Sequence, residues 1–170
     1  FPDAEGEFAF CAMPQCGAVM GFELERGLEA FLQRTFFNPP ISHALVPLCE
    51  YHKSKQGQTS LRRMYVHLQE GKVSVCLFDC GAPVMTNSYE YEAIDDAAYY
   101  VLHAWQSFGF DALADEILLS GEKSRRDQIT PLLRKYVNYV IPAIFPAAAM
   151  RIGHDAVRAP YHLILLALCE

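Results

Sequence analysis

Between Leu61 and Tyr100 the hydrophobic pattern runs at period two through three short segments and then changes to about 3.6, a switch that fixes local architecture more tightly than any other stretch. Arg63 to Gln69 sets Met64, Val66 and Leu68 against Tyr65, His67 and Gln69, as a strand does. Glu70-Gly71 turns the chain. Lys72 to Asp79 alternates again, Val73, Val75 and Leu77 opposing Ser74, Cys76 and Phe78, and Asp79-Cys80-Gly81 supplies the next turn. Val84 to Tyr91 makes the third strand, and connections this short impose antiparallel pairing. Asp95-Asp96 then stand where a helix N-terminus favours negative charge. Ile94, Ala98, Val101, Leu102, Trp105 and Phe108 follow at helical spacing, and Gly109 occupies the place of a left-handed C-terminal cap. This helix covers one face of the meander, with its Trp in the core.

The flanks are read as packing around that unit. Glu7 to Met13 is expected as a strand ended by Pro14 and Gly17. Phe22 to Phe36 is expected as a surface helix docked by Leu24, Leu28, Phe31, Leu32 and Phe36. Asn38-Pro39-Pro40 stops it, Ile41 to Leu48 reads as a buried strand, and the polar segment Glu50 to Ser60 as a linker. Beyond the central helix, Glu116 to Leu119 is a short strand. Ser124 to Tyr139 is a helix with Ile129, Leu132, Leu133, Tyr136, Val137 and Val140 on one stripe and Pro131 in its first turn. Ile141 to Phe145, punctuated by Pro142 and Pro146, suits an edge strand or irregular chain. Pro160 opens a last helix, Tyr161 to Cys169, apolar nearly all round.

A formal charge of -6 argues against a nucleic-acid backbone as partner, because phosphate neutralisation needs clustered Lys and Arg. Lys53, Lys55, Arg62 and Arg63 come nearest to such a cluster and read as a solvated linker. No run of about eighteen apolar residues is present, so no membrane span is expected. Cys11, Cys16, Cys49, Cys76, Cys80 and Cys169 lack the spacing of a small secreted domain and read as reduced thiols of a cytoplasmic protein.

From residue 61 the order is three antiparallel strands, helix, strand and helix, an α/β arrangement with a mixed sheet that recurs in ribonuclease-H-like lobes. Ile41-Ser42-His43, Met64 to Leu68, Asn87-Ser88-Tyr89-Glu90-Tyr91, Asp95-Asp96 with Tyr99-Tyr100, Leu119-Ser120-Gly121, Leu133-Arg134-Lys135-Tyr136-Val137 and Leu168-Cys169-Glu170 carry a further likeness. In that order and spacing the chain resembles an uncharacterised bacterial family with the two-lobe actin-like ATPase fold. The resemblance implies that residues 1–60 are the closing part of a first lobe, that residues 61–170 are the second lobe, and that the intact protein is longer.

Working members of that fold place an Asp beside small Gly-rich residues in the second lobe's first hairpin, to hold a magnesium-bound water and phosphate. The matching positions here look like His67 with Gln69, Glu70 and Gly71; magnesium prefers hard oxygen ligands, and Glu70 would repel a triphosphate. The adenosine-contacting loop is matched by Leu118-Leu119-Ser120-Gly121-Glu122, which keeps one Gly. Cleft positions for a cofactor are therefore His67, Gly71, Asp79, Ser120 and Gly121, Asp79 being the nearest alternative carboxylate, and ATP with magnesium is disfavoured.

Other constellations are weak. Cys76 with Cys80, and Cys49 with His52, have the spacing of half a zinc site without a second knuckle, so small buried side chains is the preferred reading and no metal is expected. His103, His154 and His162 are isolated in sequence, and His43 is read as a structural residue. A Cys76 or Cys80 dyad with His67 lacks an orienting third group, so no catalytic residue is assigned. Asp95, Asp96, Tyr99 and Tyr100, extended by Tyr89 and Tyr91, are the candidate interaction surface against a reading as helix cap and packed aromatics. The functional expectation is a non-catalytic, degenerate actin-like protein serving as an intracellular interaction or scaffold module for a protein partner. The alternative is a nucleotide-binding actin-like ATPase.

Overall fold

The computed structural model describes residues 6–56, 60–151 and 159–169; His154 and Glu170, singled out above, lie outside them. The expected meander is present as β3 (Arg63–Gln69), β4 (Lys72–Asp79) and β5 (Ala82–Glu90), all antiparallel neighbours. On the other edge of β3 run β6 (Glu116–Gly121) and β7 (Tyr139–Pro142), both parallel, giving a five-stranded sheet of order β5-β4-β3-β6-β7. The two-residue turn at Glu70-Gly71 suffices for the antiparallel step. The parallel step needs the helix α3 (Ile94–Ser107) as its crossover.

Alternation along β3 and β4 feeds two cores. Met64, Val66, Leu68, Val73, Val75 and Leu77 point to one face, where α3 lays Ala97, Val101, Ala104 and Trp105 and the helix α4 (Lys123–Leu133) lays Ile129 and Leu133. Trp105 is buried against Phe110, as a core residue should be. Tyr65, Cys76 and Phe78 point the other way, under α2 (Leu45–Gln56) and α5 (Tyr161–Cys169). Each fully buried Val or Leu in these layers contributes roughly 1.5–3 kcal/mol. Covered on both faces, the central strands are stabilised chiefly by apolar burial.

The flanks depart from expectation in three places. Residues read as the start of a helix instead form β2 (Ala18–Leu24), paired with β1 (Glu7–Met13), and the helix proper, α1 (Leu28–Phe36), begins after Gly27 at φ 80°. Its stripe is not docked: α1 has no buried residue, and Phe31 and Phe36 are exposed, as are Phe8, Phe10 and Val19 of the hairpin. The segment expected as a strand and linker is the helix α2. Its apolar run gave no period because Leu45 to Glu50 is buried all round, and a short apolar run does not distinguish strand from helix. His43 marks its start, Nδ1 accepting the Leu45 amide at 3.2 Å, which gives that residue the expected structural role.

The third departure is α4, which stops at Leu133, so Pro131 falls near its end rather than in its first turn and Tyr136 lies exposed beyond it. The edge strand expected at 141–145 is β7, starting two residues earlier. Helix α5 spans the expected range with Ile164 and Leu165 buried and Leu163 and Leu166 exposed. At the mouth of the sheet, Gly121 has φ 95°, and a Cβ there would collide with the Leu68 backbone. Gly109, at φ 63°, has open space around its missing Cβ. Gly109→Ala should therefore cost only the left-handed penalty of about 1–2 kcal/mol, and Gly121→Ala clearly more, in urea unfolding. Equal losses would mean that the β3–β6 approach is looser than described.

Candidate functional site

Because β3 and β6 are parallel, their C-terminal ends lie side by side, with His67 in register with Ser120 and Leu68 with Gly121. The Glu122 amide donates to the Leu68 carbonyl at 3.0 Å, and α4 starts at the next residue. Above this floor opens a cleft of about 620 Å³, walled by Lys123 and Arg126 on one side and by Phe145, Pro160 and Tyr161 on the other. The first turn of α4 has no side-chain cap, so its amides and its dipole face the same end of the sheet.

His67 is the most constrained polar group at this site. It is 5% exposed, stacks on Tyr161 at 5.4 Å between ring centroids, and lies with Nδ1 3.1 Å from the Ser120 hydroxyl. Ser120 donates in turn to the Val66 carbonyl at 3.3 Å, so the Nδ1 proton goes to Ser120 and Nε2 is left as an acceptor. Nε2 has no hydrogen-bond partner among the described residues. Burial, with His162 nearby, pushes the imidazole down to about 4, so it is neutral at physiological pH. His52, one layer below, is stacked on Tyr65 at 3.8 Å and pushed down to about 3 by burial, then by His67.

The expected cofactor positions separate. His67, Ser120 and Gly121 line the cleft together. Gly71 sits in the β3–β4 turn at φ 67° with its carbonyl accepting the Tyr91 amide, outside the lining. Asp79 lies at the opposite end of the sheet, because β4 runs antiparallel to β3 and finishes where β3 begins. There it faces Arg62 at 3.4 Å, and Arg62 in turn donates to the carbonyls of Phe108 and Gly109. Asp79 is thus remote from the cleft.

Of the candidate interaction surface, Tyr89 and Tyr100 stack at 4.8 Å, and the exposed Tyr99 stacks on His103 at 5.8 Å. Asp95 is exposed and Asp96 caps the helix, accepting the Ala93 amide at 3.0 Å. Tyr91 does not belong to that surface: it is buried and donates its hydroxyl to the Gln69 carbonyl.

Cys76 and Cys80 do not meet, one buried in β4 and the other exposed in the following turn. Nor does His67 pair with a thiol, its Nδ1 being taken by Ser120. Instead Cys76 approaches Cys49 of α2, a long-range contact that no local spacing could announce. Among the described residues no group of three or more His, Cys, Asp or Glu could hold a metal ion, and no helix is long and apolar enough to cross a membrane.

Residues 2–140 match a family model described as protein of unknown function (DUF3822). No curated protein matches. Among solved structures, a Bacteroides thetaiotaomicron protein with actin-like ATPase fold and unknown function superposes with TM-score 0.77 at 19% identity, covering 96% of this chain and 61% of that one. A chain of a PilM-PilN type IV pilus biogenesis complex does so with TM-score 0.57 at 11% identity, covering 96% and 65%. The fold is thus that of the actin-like ATPases, and the chain spans about three-fifths of the Bacteroides protein's length.

The depressed values of His67 and His52 imply a pH dependence. A His whose folded value lies below its unfolded 6.5 contributes fully above pH 6.5, and that contribution is lost as pH falls toward the folded value. Urea unfolding should therefore show stability falling between pH 6.5 and about 4, with His67 accounting for on the order of 3 kcal/mol. His67→Asn should flatten the slope in that window, and an unchanged slope would show that the imidazole is not held neutral.

Proposed function

The chain belongs to the DUF3822 family, whose description assigns no activity, and from its cleft we propose a non-hydrolysing actin-like protein that works by holding a protein partner. The supporting observation is the floor of the cleft. Metal-bound phosphate requires hard, anionic oxygens, but β3 presents the neutral, Tyr161-stacked imidazole of His67. Glu122 is the one carboxylate among the described lining residues, and it is drawn toward Arg125 at 3.8 Å. The other side-chain oxygens of the described lining, on Gln69, Ser120 and Tyr161, carry no charge.

Residues 1–60 are proposed as the closing part of a first lobe and residues 61–170 as the second, with α2, which shares a core with Tyr65, Cys76 and Phe78, at the junction of the two; the exposed stripe of α1 would then face further structure of the first lobe. The proposed compartment is the cytoplasm, which the six free cysteines support. The PilM-PilN chain belongs to a type IV pilus biogenesis complex, a precedent for partner binding on this scaffold. For the partner surface we favour the Tyr89, Tyr99 and Tyr100 group, whose exposed neighbours Glu90, Glu92 and Asp95 suit a basic segment. A Lys/Arg-rich peptide should perturb amide resonances of residues 89–103 ahead of the rest, and Tyr99→Ala with Tyr100→Ala should weaken it severalfold. Perturbation spread evenly over the acidic surface would remove this assignment.

A second reading has one observation in its favour: Lys123, Arg126 and the uncapped start of α4 face a cleft that could take an anion without metal. Nucleotide binding without hydrolysis would use them. Thermal unfolding separates the two, since a ligand at a hundredfold its dissociation constant adds about 2.7 kcal/mol. No shift is expected with Mg-ATP and no phosphate should be released. A shift with ATP in chelator alone would promote the second reading, and a Mg-ATP shift with phosphate release would overturn both.

A further inference from the structure

The contact between Cys49 on α2 and Cys76 on β4 lies outside the cleft lining. Their sulfurs lie 3.1 Å apart, both side chains are buried, and the Thr86 hydroxyl of β5 is 2.9 Å from Cys49 Sγ. Closing to a disulfide length of about 2.05 Å requires a movement of about 1 Å. The contact is asymmetric, since Cys49 Sγ meets the Thr86 hydroxyl as well as Cys76. Hydrogen bonding from Cys76 holds the Cys49 thiol below its ordinary value, burial opposes this, and Thr86 adds to the lowering; Cys76 is raised well above its own, first by that same bond and then by burial. Such asymmetry supplies a nucleophile and a resolving thiol within one contact. Although buried, Cys76 is one strand from the margin: β5 is the outermost strand, and its half-buried Thr86 is in register with Cys76 and touches Cys49.

We propose that Cys49 and Cys76 form a redox-active pair that closes to a disulfide on reaction with a hydroperoxide, fastening α2 to the sheet. In the first step Cys49 sulfur attacks the terminal peroxide oxygen, an S–O bond forms, the O–O bond breaks, and the leaving oxygen takes a proton to depart as alcohol or water. In the second, Cys76 sulfur attacks Cys49 sulfur, the S–S bond forms and the S–O bond breaks. The departing hydroxyl takes the Cys76 proton and leaves as water. Both sulfurs are oxidised and the peroxide is reduced, so no further co-reactant is required. A pair of this kind in a reducing compartment is transient, a sensor rather than a staple.

The test uses the full chain in a Cys80→Ser background, because tryptic peptide 73–123 otherwise carries two cysteines. After hydrogen peroxide under native conditions, mass spectrometry should find peptide 35–53 joined to peptide 73–123, reversibly by dithiothreitol, with both thiols lost from a denaturing thiol titration. In a Cys76→Ala variant, Cys49 should persist as a sulfenic acid captured by dimedone; should that variant not fold, the cross-link in the parent remains decisive. Oxidation of Cys169 or Cys16 with these peptides unlinked would overturn the proposal, as would a link that forms only in urea.

Discussion

Strand β3 is hydrogen-bonded along both edges, antiparallel to β4 and parallel to β6, so its side chains have no exit except through the two faces. All five from Met64 to Leu68 are buried. Three enter the layer under α3 and α4, and Tyr65 and His67 enter the layer under α2 and α5. A shift of register by one residue would exchange these sets and put an imidazole and a phenol among Val75, Val101 and Ile117. Gly121 tightens the constraint, since its missing Cβ lets β6 pass close to Leu68 and aims the start of α4 at the end of β3.

That geometry makes a cleft whatever side chains fill it. Two parallel strand ends, a short loop and a helix N-terminus converge there, an arrangement suited to anions. The particular residues determine whether the anion arrives with a metal. His67 spends one nitrogen on Ser120, is covered by Tyr161, and offers no charge. The cationic wall of Lys123 and Arg126 would compete with a divalent ion for the same oxygens. On the reading proposed above, scaffold and chemistry part at this point, the backbone being that of the actin-like fold while β3 presents a neutral imidazole.

Much of this architecture was legible in the sequence because its cause was local. Alternation in residues 63–79, the tight turns and the 3.6-residue stripe up to Trp105 each act within a few residues, and they set the antiparallel pairs and α3. The misses share a different cause. Helix α2 reads as a strand and then a linker because Leu45 to Glu50 is buried on every side and gives no period, while Glu50, His52 and Gln56, which look like linker residues in sequence, are buried and structural. The stripe of α1 has the spacing of a docked helix yet buries no residue, because amphipathic spacing does not say whether a partner surface is present. Asp79 is close to the hairpin in sequence, but strand direction carries it to the far end of the sheet. Cys49 and Cys76 meet only once α2 is laid across β4.

Helix α2 explains how the hairpin of β1 and β2 is joined to the sheet. Glu50 is a buried carboxylate, made tolerable because it accepts the amides of Gln15 and Cys16 at 3.0 and 3.1 Å from the β1–β2 turn. Two residues on, His52 stacks on Tyr65, and at the end of the helix Gln56 donates to the Tyr65 hydroxyl at 2.9 Å. Polar groups that would otherwise be costly inside a protein thus tie the helix to the hairpin at one side and to β3 at the other. Apolar contacts can slide, whereas these bonds hold one orientation. Helix α5 packs on α2 and carries the Tyr161 ring that lies over His67, so the bonds that orient α2 also orient the cover of the cleft.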